Sequence, residues 1–137
     1  MIDTRTIEEF LDRNNKFAIV GVSSDPDKWG RKIYEKLKSI GLKVYPINPK
    51  NSKVNGDTCY PDLISLPEKP DVVIMVVPPS VTEKILEDCK AIGIDKVWMQ
   101  PGSESNKAVN FCQDNRITVV ANTCFVTNGL SEVFRDE

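Results

Sequence analysis

Histidine is absent from this chain of 137 residues. Without imidazole, the protein lacks the side chain that most often acts as a general base near neutral pH and as a metal ligand. This absence argues against Ser-His-Asp triads and against a phosphohistidine relay. We therefore predict neither a catalytic residue nor a metal site in this chain.

Closely spaced cysteines are also absent. The four cysteines lie too far apart for a CxxC redox or zinc motif, and we expect reduced thiols. They are Cys59, Cys89, Cys112 and Cys124.

Long apolar runs and an excess of basic charge are missing as well. No run of about 18 apolar residues is present, so we predict no membrane span. The chain has 18 Lys and Arg against 20 Asp and Glu, a net charge of −2, which argues against binding to duplex nucleic acid. The amino terminus does not resemble a signal peptide, so we expect a cytoplasmic protein. Its length predicts a single domain over residues 1–137.

Strand-like and helix-like segments alternate along the chain. Short apolar runs rich in β-branched residues predict strands at residues 17–22, 44–47, 72–77, 97–99 and 118–121. Segments with apolar residues at helical spacing lie between them, so the fold class is α/β. Right-handed crossovers then predict a Rossmann-like, doubly wound parallel sheet with the strand order 3-2-1-4-5-6. In this order a short strand around Thr58 and Cys59 occupies one edge.

Four loops follow strands at the centre of such a sheet, where ligands bind. They are GVSSDPDKWG at 21–30, NPK at 48–50, VPPS at 77–80 and QPGS at 100–103. The first loop combines a glycine, two serine hydroxyls and a helix that begins near Gly30. This combination is typical of an anion site and suits a pyrophosphate.

The first loop differs from the dinucleotide motif GxGxxG, because Ser23 stands in the place of the second glycine. The end of strand two is more informative. NAD enzymes carry an acidic residue there for the ribose hydroxyls, whereas this chain has Asn48 and Lys50. A lysine at this position favours a ribose that carries a phosphate.

Taken together, the segments GVSSDPDKWG, YPINPK, DVVIMVVPPS and VWMQPGSES resemble those of CoA-binding domain proteins. These are stand-alone relatives of the N-terminal CoA-binding domain of the succinyl-CoA synthetase α-subunit. The resemblance covers about residues 17–124. It implies that the first loop receives the pyrophosphate, and that the loop after strand two receives the adenine and the 3′-phosphate. The Val-Pro loop would border the adenine and the pantetheine.

The resemblance and the loop positions predict a binding site for coenzyme A or an acyl-CoA. Its expected residues are Gly21, Val22, Ser23, Ser24, Lys28, Trp29, Gly30, Asn48, Pro49, Lys50, Val77, Pro78, Pro79 and Gln100. The ligase activity of the synthetase is not expected, because this chain has no histidine to phosphorylate.

The leading hypothesis is a small non-catalytic binding protein that senses the ligand or delivers it to an enzyme that uses acyl-CoA. One alternative is an acyl-CoA-dependent transferase with Cys124 as its nucleophile, since this cysteine follows the last predicted strand. A second alternative is a fragment of an NADP-type oxidoreductase. The second is disfavoured, because one nucleotide domain leaves no place for the second reactant.

Overall fold

Strands and helices alternate through residues 4–121, which are the residues that the computed structural model describes. The helices are α1 (Thr4–Phe10), α2 (Trp29–Ser39), α3 (Pro79–Ile92) and α4 (Asn106–Asp114). The strands are β1 (Lys16–Val20), β2 (Lys43–Ile47), β3 (Lys53–Val54), β4 (Asp57–Thr58), β5 (Val72–Met75), β6 (Lys96–Met99) and β7 (Thr118–Ala121).

Within the described residues, five strands form one parallel sheet in the order β2-β1-β5-β6-β7. The chain starts near the middle, builds one edge with β2, and then crosses to β5 to build the other edge. The expected Rossmann-like, doubly wound fold is therefore confirmed. The point where the direction of winding reverses lies between β1 and β5.

Both faces of the sheet are covered by helices, which explains why β1 after Lys16 and the whole of β5 are apolar and buried. Phe17 and Ile19 of β1 pack in one core with residues of α1 and α2. Ala18 and Val20 point to the opposite face and pack with residues of α3 and α4. Successive residues of a strand face opposite sides, so a strand between two helical layers needs a continuous apolar run.

The predicted sixth strand is wrong. Asp57–Thr58 pairs antiparallel with Lys53–Val54 in a separate two-stranded ribbon, and only Tyr60 makes a single parallel bridge, to Ile47. The backbone of Pro46 gives the reason. The Tyr60 amide donates to the Pro46 carbonyl at 3.0 Å. To extend this pairing back to Thr58 as a parallel ladder, Pro46 would have to donate an N–H to the Thr58 carbonyl, and proline has no N–H. The sheet therefore ends at β2.

Within residues 4–121, none of the helices is long and apolar enough to cross a membrane.

Candidate functional site

A cleft of about 570 Å³ opens where the carboxyl ends of β1, β2 and β5 meet the first turns of α3. The carboxyl ends of parallel strands lie at one edge of a sheet, and a crevice forms where the winding reverses. The residues that line the cleft are Val20, Gly21, Ile47, Asn48, Pro49, Lys50, Pro61, Asp62, Leu63, Val77, Pro78, Val81, Lys84, Ile85 and Asp88.

The walls of the cleft are mainly apolar. The side chains of Ile47 and Leu63 are buried, whereas Val81 remains 37% exposed on the first turn of α3. Lys50 and Lys84 supply cations on the loop after β2 and on α3. An apolar interior with a few polar groups is the usual composition of a small-molecule site.

Two glycines shape the loop between β1 and α2. Gly21 has a φ of +101°, and a Cβ atom there would lie 2.2 Å from the carbonyl oxygen of Val76. A Cβ atom at Gly30 would lie 2.1 Å from the carbonyl oxygen of Gly21. Three backbone segments are thus in direct contact, and a side chain at either glycine would separate them. The contact brings the amino end of α2 close to the end of β1.

The remaining part of this loop is held by its own side chains. Ser23 Oγ accepts a hydrogen bond from the Asp25 amide at 2.9 Å, and Arg31 Nη1 donates to the Ser24 carbonyl at 2.9 Å. Lys28 is exposed at the N-cap of α2, and its side chain makes no hydrogen bond to the first turn. Trp29 is 51% exposed, with the Lys32 ammonium 5.1 Å from its ring centroid.

Asn48 lies at the end of β2 and connects two loops. Its Nδ2 atom donates to the Val22 carbonyl at 2.9 Å, and its Oδ1 atom accepts from the Lys50 amide at 2.9 Å. The second contact fixes a tight turn through Pro49 and leaves the Lys50 side chain exposed.

The loop between β5 and α3 is braced from the next loop along the sheet. The Val77 amide donates to Ser103 Oγ at 3.1 Å. Pro78 is the N-cap of α3 and Pro79 its first residue, a position that tolerates a missing N–H. Gln100 is only 4% exposed, and its backbone amide donates to the Met75 carbonyl at 3.0 Å.

Six of the predicted site residues line the cleft. They are Gly21, Asn48, Pro49, Lys50, Val77 and Pro78. The predicted residues of the first loop from Val22 to Gly30 lie outside the cleft lining, on the loop that continues from Gly21. Pro79 begins α3, and Gln100 follows β6 beside Met75 at the end of β5; neither lines the cleft.

One wall of the cleft was not predicted from the sequence, namely the face of α3 formed by Val81, Lys84, Ile85 and Asp88. A signal was present, because these residues follow the helical spacing i, i+3, i+4 and i+7 directly after the Val-Pro loop. The role of Arg31 was not predicted either; its side chain is 12% exposed and holds the loop at Ser24.

The described cysteines are free, buried thiols. Burial raises the pKa of Cys89 to about 12 and the pKa of Cys112 to about 11, so both stay protonated and unreactive at neutral pH. Cys124, the nucleophile of the transferase alternative, lies outside the described residues. In residues 4–121, no group of three or more His, Cys, Asp or Glu is arranged to hold a metal ion.

The fold and the cleft are those of a domain that binds a ligand at the switch point of a parallel sheet. Residues 15–129 match the family described as CoA binding domain, and the chain belongs to that family.

Relatives of two kinds are similar to this chain. The ADP-forming acetate–CoA ligase of Methanocaldococcus jannaschii is 34% identical over 86 residues, which cover 63% of this chain and 12% of the ligase. The chain therefore matches only a small part of that enzyme. The uncharacterized protein YneT of Bacillus subtilis is 25% identical over 122 residues, 86% of this chain and 87% of YneT.

A solved structure of similar size has the same fold. A hypothetical protein from Pyrococcus horikoshii OT3 superposes with a TM-score of 0.85 at 32% identity, over 90% of this chain and 87% of that protein.

Proposed function

We propose that this protein binds coenzyme A or an acyl-CoA as a small non-catalytic binding protein. The observation that carries the proposal is the cleft at the switch point between β1 and β5 in a member of the CoA binding domain family. The ligand would then be sensed, or passed to an enzyme that uses acyl-CoA. The activity of the acetate–CoA ligase is not part of the proposal, because this chain matches 12% of that enzyme.

The pyrophosphate would bind on the loop between β1 and α2. The first N–H groups of a helix have no partner within the helix, and they carry partial positive charge. Lys28 caps α2 without occupying those groups with its side chain, and the glycine contact brings them next to the end of β1. Lys28 adds an exposed cation at the same place.

The 3′-phosphate would bind near Lys50. The Lys50 backbone is fixed by Asn48, its side chain is exposed, and it lines the cleft. In the described part of the chain, no carboxylate forms an ion pair with Lys50. Its ammonium is therefore available for an anion.

The apolar walls would take the less polar parts of the ligand. Val77, Pro78, Ile47 and Leu63 supply apolar lining to the cleft. A planar adenine ring or an extended pantetheine chain would bury apolar surface between them, which is favourable at about 25 cal/mol per Å².

Calorimetry with coenzyme A, dephospho-CoA, NADP and NAD tests the proposal. We expect coenzyme A to bind most tightly. Dephospho-CoA lacks the 3′-phosphate and so loses a charge-assisted contact of about 1.5–3 kcal/mol, which corresponds to an affinity about 10- to 150-fold lower than that for coenzyme A. Binding of NADP as tight as that of coenzyme A, or tighter, would contradict the proposal.

The Lys50→Ala variant tests the position of the 3′-phosphate. If Lys50 makes the contact, the variant should distinguish coenzyme A from dephospho-CoA far less than the wild type does. Lys53→Ala is the matched control, because Lys53 is an exposed lysine on β3 outside the cleft lining. If Lys50→Ala keeps the full preference, the 3′-phosphate is held elsewhere, and Lys28 is the next residue to test.

A further inference from the structure

All the polar groups of Asn48 have protein partners. Besides the side-chain contacts to Val22 and Lys50, the backbone amide of Asn48 donates to the Tyr60 carbonyl at 2.9 Å. Its carbonyl accepts from the Asn51 amide at 3.3 Å and from the Cys59 thiol at 3.8 Å. Only one of the two Nδ2 protons and a second lone pair on Oδ1 are left for a ligand.

The partners of Asn48 belong to different segments of the site. Val22 is buried at the start of the loop between β1 and α2, one residue before Ser23. Lys50 lies on the loop after β2, and Tyr60 leads into the segment that supplies Leu63 to the cleft. One short side chain thus joins the loop assigned to the pyrophosphate to the loop assigned to the 3′-phosphate.

We infer that Asn48 is a positioning residue that holds these two phosphate-binding loops in register, rather than a direct contact to the ligand. The inference rests on the proposed function. The Nδ2 bond to Val22 fixes the first loop against the end of β2, and the Oδ1 bond to Lys50 fixes the backbone that carries its ammonium. Loops held in the bound geometry lose less conformational entropy when the ligand binds.

Two variants separate the two contacts. In Asn48→Ser the hydroxyl is too short to reach Val22, but it can still accept from the amide two residues on, as in an ST turn. In Asn48→Ala both contacts are lost. Neither variant adds a charge, so electrostatic repulsion of the phosphates does not enter the comparison.

Affinities for coenzyme A and dephospho-CoA give the readout. Asn48→Ser should lower the affinity for both ligands by about fivefold, as expected for one hydrogen bond. It should keep the preference for coenzyme A over dephospho-CoA within about twofold of the wild type. Asn48→Ala should lower both affinities and should also reduce the preference for coenzyme A by about threefold or more. A purely structural role would lower stability without this difference between the ligands.

Asn15→Ala is the matched control. Asn15 Nδ2 donates to the carbonyls of Glu9 at 2.9 Å and Phe10 at 3.0 Å, directly before β1 and hence at the edge of the sheet opposite the cleft. This variant removes the same kind of hydrogen bond and should leave both affinities unchanged. Equal loss of affinity in Asn15→Ala and Asn48→Ser would overturn the inference, since general destabilisation would then explain both.

The remaining outcomes distinguish the inference from the proposal beneath it. If the wild type binds coenzyme A but both Asn48 variants match it within twofold, the inference is wrong and the proposed function stands. If the wild type does not bind coenzyme A at about 1 mM, both are wrong. Hydrogen exchange of the wild type adds a test that needs no variant. The Lys50 amide should be protected, and rapid exchange there would overturn the inference.

Discussion

Replacing Gly30 with alanine inserts one methyl group between α2 and the end of β1. The new Cβ atom would lie 2.1 Å from the carbonyl oxygen of Gly21 and 2.9 Å from its carbonyl carbon. Ordinary van der Waals contact begins at 3.4 Å, so restoring it requires the two backbone segments to separate by about 1.3 Å. Neither partner is a flexible side chain that could turn away.

The size of the effect follows from two opposing contributions. Alanine is favoured over glycine inside a helix by about 1 kcal/mol. Overpacking against an immobile neighbour costs about 1–3 kcal/mol, and a clash with backbone lies in the upper part of that range, at about 2–3 kcal/mol. We therefore expect Gly30→Ala to lower the free energy of unfolding by about 1–2 kcal/mol and Tm by about 3–8 °C. If the pyrophosphate binds at the amino end of α2 as proposed, a displacement above 1 Å would also break its hydrogen bonds to α2. The affinity for coenzyme A should then fall by about tenfold or more.

Thermal unfolding and calorimetry measure both effects, and Gly41→Ala is the control. Gly41 has a φ of +84° with no atom within 4 Å of an added Cβ, and it follows the other end of α2. Its replacement should cost about 1–2 kcal/mol through backbone strain alone and leave the affinity for coenzyme A unchanged. Wild-type Tm and wild-type affinity in Gly30→Ala would refute the reasoning.

Two further predictions concern the loop surface and the opposite end of the sheet. Trp98 is fully buried and Trp29 is 51% exposed, so acrylamide should quench mainly Trp29, and coenzyme A should reduce that quenching if Trp29 shields the ligand. Contacts from Lys43, Tyr45 and Lys16 lower the pKa of Glu68 to about 2. Because the pKa in the folded state is depressed, the stabilisation is present above the usual value of about 4.3 and is lost as pH falls toward 2. Urea unfolding of Glu68→Gln should therefore show lower stability than the wild type at pH 7 and a smaller difference at pH 2.5; equal stability at pH 7 would contradict this.

The sheet could be predicted because its central strands are buried on both faces. Such burial requires continuous apolar runs, and those at residues 17–22 and 72–77 are unambiguous in the sequence. The structure places the strands at Lys16–Val20 and Val72–Met75, so the runs continue beyond the strands into the loops of the site. Local sequence was therefore sufficient for the central strands and for the place where their loops meet.

The features that the sequence did not predict depend on contacts between distant segments. The failure of the sixth strand depends on Pro46, which lacks the N–H that the next step of a ladder needs. Gly30 was predicted as a glycine near the ligand, but the structure shows that it is required by the carbonyl of Gly21. Val81 and Ile85 fit a core-facing helical stripe, yet among residues 4–121 they line the cleft, and Val81 remains 37% exposed there.

The site combines exposed side chains with a fixed backbone. The Lys50 side chain is exposed, whereas its backbone amide is held by Asn48, and the Val77 amide is held by the buried Ser103. A loop that is already ordered contributes little entropic penalty on binding, so a few phosphate contacts can give useful affinity in a short chain. Mutations of the exposed side chains should then change which ligand is preferred, whereas Asn48→Ser and mutations of Ser103 should lower the affinities for all ligands that share the pyrophosphate by a similar factor.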